Sequence, residues 1–248
     1  MESREPLAEY GDDFEKAYWP AFVRDEFPEY AEFWHRFVQP RREHPGKIRL
    51  KRASTSETSL EANAVIVSEL HYSTFMHLAH VYEIRRSTES FAVRRDSPAE
   101  VVRLTGTFSD AIVRISAATD TADELLERVL DARYEPWNER KSSKARSRRR
   151  NPDPLRILHN YRNRLVHGPL VPLQITTLLD KAGRRRSVQL SFPKFEKLAE
   201  TLDWRSFQHG EVAGDDYALA RDLVEEAWTM VLAYLRKEWA SNLLPLVT

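Results

Sequence analysis

Residues 153–169 read DPLRILHNYRNRLVHGP and predict a helix whose two ends are both marked by the sequence. Asp153 is a candidate N-cap, and Pro154 stands at the first helical position, where a missing amide hydrogen costs nothing. Gly168-Pro169 ends the helix, because glycine favours the C-terminal cap and proline cannot continue the hydrogen-bond pattern. Four apolar residues recur at helical spacing and predict one buried flank: Leu155, Leu158, Leu165 and Val166.

Helical spacing of apolar residues also occurs on both sides of this stretch. It predicts helices over residues 59–86 and over about 215–239. It also predicts a helix after Pro98, which either continues or restarts through Leu125, Val129 and Leu130. Residues 173–179 and 187–192 differ, because apolar and polar residues alternate on either side of a turn at 181–184, which predicts a β-hairpin. We therefore expect a mainly α-helical fold, a helical bundle that carries an inserted β-hairpin at 173–192.

The N-terminal segment predicts one or two further helices over residues 12–38, interrupted by proline. This segment is rich in aromatic residues, and an exposed tail would not carry so many large apolar side chains. Residues 41–58 and 134–152 are polar and predict loops. We expect an acidic, aromatic-rich helical extension at 1–45, packed on the body, and a helical domain at 59–248.

The composition excludes several classes of protein. The 248-residue chain has no cysteine, which excludes disulfides, thiol catalysis and Cys-ligated zinc or iron–sulfur centres. It has seven glycines and neither of the glycine-rich patterns that cradle nucleotide phosphates, so a Rossmann or P-loop enzyme is not expected. No run approaches the ~18 apolar residues of a membrane span, and the acidic N-terminus does not resemble a signal peptide. We expect no cofactor, no membrane association and a cytoplasmic location.

A metal site is also not expected. His77, His80 and Glu83 recur at intervals of three residues on one predicted helix, a spacing that can form a metal-binding face. The sequence supplies no further strong ligand for such a face, so buried or interfacial histidines are the favoured interpretation.

Charge is distributed unevenly, although 38 basic and 38 acidic side chains give a formal net charge of zero. Residues 1–33 carry a net charge of −7 and residues 140–168 a net charge of +9. The run RKSSKARSRRR at 140–150 is typical of a solvated contact segment, because like charges repel one another. The candidate RNA-binding residues are Arg140, Lys141, Lys144, Arg146, Arg148, Arg149, Arg150 and, on the predicted helix, Arg164. Alternatively, the run is a solvated loop or a strip that the acidic N-terminal residues cover.

Arg162, Asn163 and His167 lie near the C-terminal end of the helix predicted at 153–167, and they suit phosphodiester chemistry. Histidine transfers protons near neutral pH, and a helix C-terminus favours its cationic form. Arginine keeps its charge and neutralises the negative charge that develops on phosphorus. Five positions place Arg162 and His167 roughly 140° apart around a regular helix. Either the last turn unwinds at Gly168, or two copies of the helix share the site in a symmetric dimer.

The run Arg162-Asn163-Arg164-Leu165-Val166-His167 resembles the R-x(4–6)-H motif of the HEPN superfamily. The resemblance implies a helical domain, often dimeric, that in many members cleaves RNA without a metal. It assigns Arg162 and His167 as the catalytic pair and Asn163 as the polar accessory residue. It implies cleavage through the 2′-hydroxyl, giving a 2′,3′-cyclic phosphate and a 5′-hydroxyl. The partners that it implies are RNA, a second copy of the chain, and an antitoxin or phage-defence protein.

The sequence departs from the family at two places. Pro169 stands where HEPN toxins paired with nucleotidyltransferase antitoxins often have a tyrosine, so modification of such a tyrosine is not expected. The hairpin at 173–192 and the N-terminal extension lie outside the minimal HEPN domain.

Other interpretations remain open. A catalytically silent HEPN subunit would bind RNA or scaffold a complex without cutting. A helical interaction protein would carry the motif by coincidence. Beside the motif, His159 and Tyr161 are further candidates for RNA contact, and core packing is the alternative for Tyr161.

Overall fold

The computed structural model describes residues 25–28, 47–50, 60–87, 90–91, 97–133, 153–167, 173–200 and 214–237. These residues form a mainly α-helical fold with a small amount of β-sheet, as the sequence predicts. The helices are α1 (Ala64–Arg86), α2 (Pro98–Arg133), α3 (Asp153–His167), α4 (Phe195–Glu200) and α5 (Ala220–Leu235). The expected helices at 12–38 and the basic run at 140–150 lie outside the described residues, except for 25–28.

The chain divides into two compact units. The first comprises Met1–Ala79, Thr121–Lys144 and Leu232–Thr248, and the second comprises His80–Asp120 and Ala145–Val231. Buried apolar side chains of the first unit include Phe75, Leu78, Leu125 and Leu235. Buried aromatic side chains of the second unit include Phe108, Tyr161, Phe192, Phe195 and Trp228. Each unit therefore has a core of its own.

Helix α2 is one continuous helix of 36 residues, so of the two possibilities that the spacing allowed, the helix continues rather than restarts. Its first turn carries a capping box, Ser97-Pro98-Ala99-Glu100, in which the Ser97 hydroxyl accepts a hydrogen bond from the Glu100 amide at 3.4 Å. Proline at the first helical position reinforces this start. The side chains that recur on one face are fully buried, among them Phe108, Ile112 and Ile115.

The predicted helix start at Ser59 and the predicted loop at 41–58 are wrong in part. Strands β1 (Lys47–Leu50) and β2 (Leu60–Asn63) pair antiparallel, with Lys47 opposite Asn63 and Leu50 opposite Leu60. Helix α1 begins only at Ala64, directly after Asn63, a residue that commonly caps helices. Residues 60–63 therefore form a strand because they pair with β1, although their apolar spacing fits a helix. The periodicity of one segment does not show such pairing with another segment.

The predicted hairpin is confirmed and belongs to a three-stranded antiparallel sheet in the second unit. Strands β3 (Gln174–Leu179), β4 (Arg185–Pro193) and β5 (Tyr217–Leu219) lie in the order β3-β4-β5. In the turn, the Asp180 carboxylate accepts hydrogen bonds from the amides of Ala182 and Arg184 at 2.8 and 2.9 Å. Gly183 adopts a φ of 74°, which a residue without Cβ tolerates best.

The third strand occupies residues that the sequence assigns to the last helix. Gly214–Asp216 forms a 3-10 turn, Tyr217–Leu219 pairs with β4, and α5 therefore begins at Ala220 rather than near Asp215. Lys194 donates its amide hydrogen to the Asp216 carbonyl at 2.8 Å, which holds this turn beside the end of β4. The extended backbone is thus selected by contacts with β4 that lie far away in sequence.

Residues 25–28 represent the N-terminal extension in the described part of the chain. Phe27 is buried in the first unit, and the Arg236 guanidinium lies 6.0 Å from the centre of its ring. Arg236 also donates a hydrogen bond to the Glu26 carbonyl. At this point the extension contributes an aromatic side chain to a core.

Candidate functional site

Helix α3 carries the motif and begins and ends as the sequence predicts, at Asp153 and His167. Leu155, Leu158 and Tyr161 are buried and form its inner flank in the second unit. Val166 was expected on this flank because of its spacing, but it is exposed. Burial thus ends one turn before the helix does, and the last turn is left open to solvent.

Tyr161 fixes the position of α3. Its hydroxyl donates a hydrogen bond to the Pro193 carbonyl at the end of β4, at 3.1 Å. Its ring meets Phe108 and Phe195 edge-on, with ring centres 6.2 and 4.8 Å apart. Burial raises the pKa of the Tyr161 phenol. Tyr161 is therefore a core residue, and its interpretation as an RNA contact is wrong.

Arg162 lies at the border between the buried flank and solvent. Its Nη1 donates a hydrogen bond to the Asn163 side-chain oxygen at 2.9 Å. Its Nε is buried and meets no hydrogen-bond partner among the described residues. Within the described part of the chain, no carboxylate lies within 4.0 Å of this guanidinium. Asn163 thus orients Arg162 while leaving its charge without a counter-ion in direct contact.

His167 is exposed at the last residue of α3. The helix stays α-helical through this residue, so the last turn does not unwind before it. Arg162 and His167 consequently project about 140° apart, and one copy of α3 does not direct both at one point. Gly168, where the alternative arrangement would unwind the helix, lies outside the described residues, so the arrangement in which two copies share the site stays a prediction.

His159 lies nearer to Arg162 than His167 does around the helix. His159, Asn163 and His167 follow one another at intervals of four residues and form one stripe on the surface of α3. The Nδ1 of His159 lies 3.7 Å from Oδ1 of Asp120, which belongs to α2. The sequence gives no signal for this pairing, because Asp120 comes from a different helix and nothing around it forms a motif.

Asp120 interacts electrostatically with both cations of this region. Burial raises the pKa of its carboxyl group, while the charges of His159 and Arg162 act in the opposite direction. Asp120, His159, Arg162 and Asn163 therefore form one polar patch, which we call the α3 patch, together with His167 at its outer end.

Of the candidate RNA-binding residues, the structure describes only Arg164. Its side chain is partly exposed and lies about 160° from Arg162 around α3. It therefore lies opposite Arg162 on α3 and about 60° from His167, at the outer end of the α3 patch. The other seven, in the run 140–150, lie outside the described residues and remain predictions.

A second polar region lies elsewhere in the second unit. An open cleft of about 310 Å³ is lined by His80, Ser87, Ser90, Arg103, Thr107 and Asp110, among others. Nε2 of His80 lies 2.8 Å from the Asp110 carboxylate. His80, one of the residues whose spacing could suit a metal site, thus has a hydrogen-bond partner on α2.

Across the described ranges, no group of three or more histidine, aspartate or glutamate side chains is placed to hold a metal ion. No helix in these ranges combines the length and the apolar character that crossing a membrane needs.

Comparison with known proteins gave no assignment. The chain matches no family model, no curated protein and no solved structure.

Proposed function

We propose that the protein is a metal-independent endoribonuclease of the HEPN type, which acts as a homodimer on RNA in the cytoplasm. Its partner protein would be an antitoxin or another component of a phage-defence system. The proposal rests on the residues of α3 and on the resemblance of their order to the HEPN motif.

The environment of Arg162 carries the proposal. Two arginines of the second unit pair closely with carboxylates: Arg85 with Glu225 at 2.6 Å, and Arg114 with Asp110 at 2.9 Å. Arg162 instead bonds to the neutral amide of Asn163. A guanidinium held in place without a contacting carboxylate is suited to bind a phosphate, because arginine recognises planar oxygen pairs through its fork of donors.

His167 supplies the proton transfer in this proposal. It is exposed, and no hydrogen bond joins its ring to another described residue, so the imidazole is accessible to a substrate. Transesterification requires a group that removes the proton of the 2′-hydroxyl or donates one to the leaving 5′-oxygen, and histidine performs both near neutral pH. Arg162 would stabilise the extra negative charge on the phosphorane-like transition state.

The regular helix supports the dimer in this proposal. Since α3 separates Arg162 from His167 by about 140°, a phosphate held by Arg162 of one copy would meet His167 of a second copy. A two-fold axis would create two such sites with the same residues. The exposed Val166, between the two motif residues, would lie at this interface.

Replacement of His167 tests the proposal. His167→Ala is expected to reduce cleavage of a labelled single-stranded RNA at least about a hundredfold, in buffer containing a chelator. His80→Ala is the matched control, because His80 is also partly exposed and belongs to the same unit. The rates are compared by gel electrophoresis, and mass spectrometry identifies the expected 2′,3′-cyclic phosphate ends.

Arg162→Ala should reduce the rate as strongly as His167→Ala and also weaken RNA binding. Full cleavage by His167→Ala, or cleavage that requires an added divalent cation, would contradict the mechanism. RNA that binds to the wild-type protein but remains intact would instead support the catalytically silent HEPN subunit. Light scattering on the purified protein checks the dimer.

A further inference from the structure

We propose that His159, held by Asp120, is a second proton-transfer residue of the Arg162 site. This inference rests on the proposed ribonuclease function and adds a catalytic residue and a positioning residue to it. Neither residue belongs to the R-x(4–6)-H motif.

The first argument is that His159 lies close to Arg162 on the surface of α3. His159 precedes Arg162 by three residues, which sets the two side chains about 60° apart and one turn apart on α3. His167 is about 140° away from Arg162 on the same helix. Within one copy, His159 is therefore the histidine whose position allows it to share a phosphate with Arg162.

The second argument is the contact with α2. Oδ1 of Asp120 lies 3.7 Å from Nδ1 of His159, and the two side chains are 51% and 43% exposed. The separation is longer than a hydrogen bond, so the Asp120 carboxylate and a protonated His159 ring would attract each other as an ion pair, with Nδ1 on the side of α2. The charged groups that face His159 among the described residues are Asp120 from α2 and, one turn away on α3, Arg156 and Arg162.

The third argument is the chemistry of the reaction, which needs two proton transfers. The 2′-oxygen loses its proton to a base and bonds to phosphorus, while the bond from phosphorus to the 5′-oxygen breaks. That oxygen accepts a proton from an acid and leaves as a 5′-hydroxyl. If two histidines serve, they finish with their protonation states exchanged, and no other reactant is consumed.

The shared site then contains both groups. Arg162, Asn163 and His159 of one copy would hold the phosphate, and His167 of a second copy would approach it from the other side. Attacking and leaving oxygens lie on opposite sides of phosphorus, so a histidine from each copy matches the two positions. A site with His167 alone would leave one of the two transfers to water.

The first experiment compares His159→Ala and His159→Gln with His80→Ala on a short labelled RNA in a buffer with chelator. His80 is a close match, because it also pairs with an aspartate of α2 and is 45% exposed, beside Asp110 at 42%. The His159 variants are expected to lose at least about a hundredfold in rate, and His80→Ala less than about twofold. Circular dichroism confirms that each variant is folded.

The second experiment distinguishes a proton-transfer role from a structural one. Sulfur replaces the bridging 5′-oxygen at the mapped cleavage site, because a thiolate leaves without being protonated. On this substrate, removing the acid lowers the cleavage rate only a little, whereas removing the base lowers the rate as much as on normal RNA. We expect one of His159→Ala and His167→Ala, and not the other, to recover on this substrate; equal behaviour of the two variants would overturn the assignment.

Asp120→Asn tests the positioning role. It should lower the rate about tenfold in the wild-type background and have no further effect in the His159→Ala background, since residues that act as a unit are not additive. An equal loss in both backgrounds would show that Asp120 acts independently of His159.

The two proposals fail in different ways. If the wild-type protein does not cleave RNA, or if His167→Ala cleaves normally, the proposed function is wrong. If His167→Ala is inactive while His159→Ala and His159→Gln cleave like His80→Ala, the ribonuclease function stands and the role of His159 is overturned.

Discussion

At the scale of the residue, Tyr161 and Arg162 show how neighbouring positions on one helix take opposite environments. Tyr161 is enclosed by Phe108 and Phe195 and bonds to Pro193, whereas the Arg162 guanidinium reaches the helix surface. A rotation of about 100° separates them. The aromatic contacts of Tyr161 therefore determine which side of α3 the arginine can occupy.

His71 makes stability dependent on pH. It is completely buried in α1, and burial lowers its pKa from 6.5 to about 3. Below pH 6.5 the unfolded chain binds a proton at this position that the folded chain does not. The free energy of unfolding should therefore be unaffected by His71 above pH 6.5 and should fall below it, by up to about 1.4 kcal/mol per pH unit, until the pH nears 3.

Urea denaturation of the wild type and of His71→Gln between pH 4 and pH 7 measures this effect, since the variant cannot titrate at this position. The wild type should lose more stability than His71→Gln as the pH falls. His80→Ala, which removes a partly exposed histidine, should follow the wild type. Parallel curves for the wild type and His71→Gln would show that His71 is not responsible.

At the scale of the element, apolar periodicity and capping residues predicted the elements that are determined by residues close together in the sequence. The ends of α3 and the β3–β4 hairpin follow from capping residues, apolar spacing and turn residues near one another in sequence. The strands β1 and β2 pair with each other within the same short stretch, but each has only four residues, too few to show alternation. Strand β5 was not predicted because its partner β4 lies far away in sequence.

The same distinction applies to the candidate site. Arg162, Asn163 and His167 could be selected from one short run of sequence. Asp120 could not, because only the packing of α2 beside α3 brings it to 3.7 Å from His159. The seven basic residues of 140–150 are local in sequence, and their role remains a prediction.

Replacement by alanine is expected to have opposite effects on stability at two glycines in different elements. A Cβ at Gly106, in the middle of α2, or at Gly183, in the hairpin turn, would meet no atom within 4 Å. Gly106→Ala should stabilise the protein by about 1 kcal/mol, since alanine is the better helix former. Gly183→Ala should destabilise it by about 1 kcal/mol, because φ at that position is 74°.

The free energy of unfolding from urea denaturation measures both changes under identical conditions. Because neither Cβ meets a neighbour, each variant serves as the steric control for the other. The same sign for both substitutions would contradict the explanation by backbone conformation.

At the scale of the whole molecule, the zero net charge is the sum of −7 over residues 1–33 and +9 over residues 140–168. If the protein binds RNA as proposed, the negative charge of residues 1–33 would compete with RNA for the positive charge of residues 140–168. Deletion of the acidic segment would not isolate this effect, because Phe27 is part of a buried core. Neutral substitutions remove the charge and keep the aromatic side chain.

We therefore expect RNA to bind more tightly when Glu2, Glu5, Glu9, Asp12, Asp13 and Glu15 are replaced by their amides. The substitutions are made in the His167→Ala variant, so that the RNA is not cut, and fluorescence anisotropy gives the Kd. The gain should be clear at low ionic strength and should disappear in high salt, because salt screens exposed charges. An unchanged or weaker Kd at low salt would show that residues 1–33 do not compete with RNA.

The three-stranded sheet also bears on the order in which the protein assembles. Strands β3 and β4 are joined by the short turn at Asp180–Arg184, whereas pairing of Pro193 with Tyr217 closes the much longer segment between β4 and β5. Closing a longer loop costs more chain entropy, and contacts between distant residues form more slowly. We therefore expect β3 and β4 to pair before β5 joins them, directly before α5. The three-stranded sheet is therefore complete only after residues 217–219 have paired with β4.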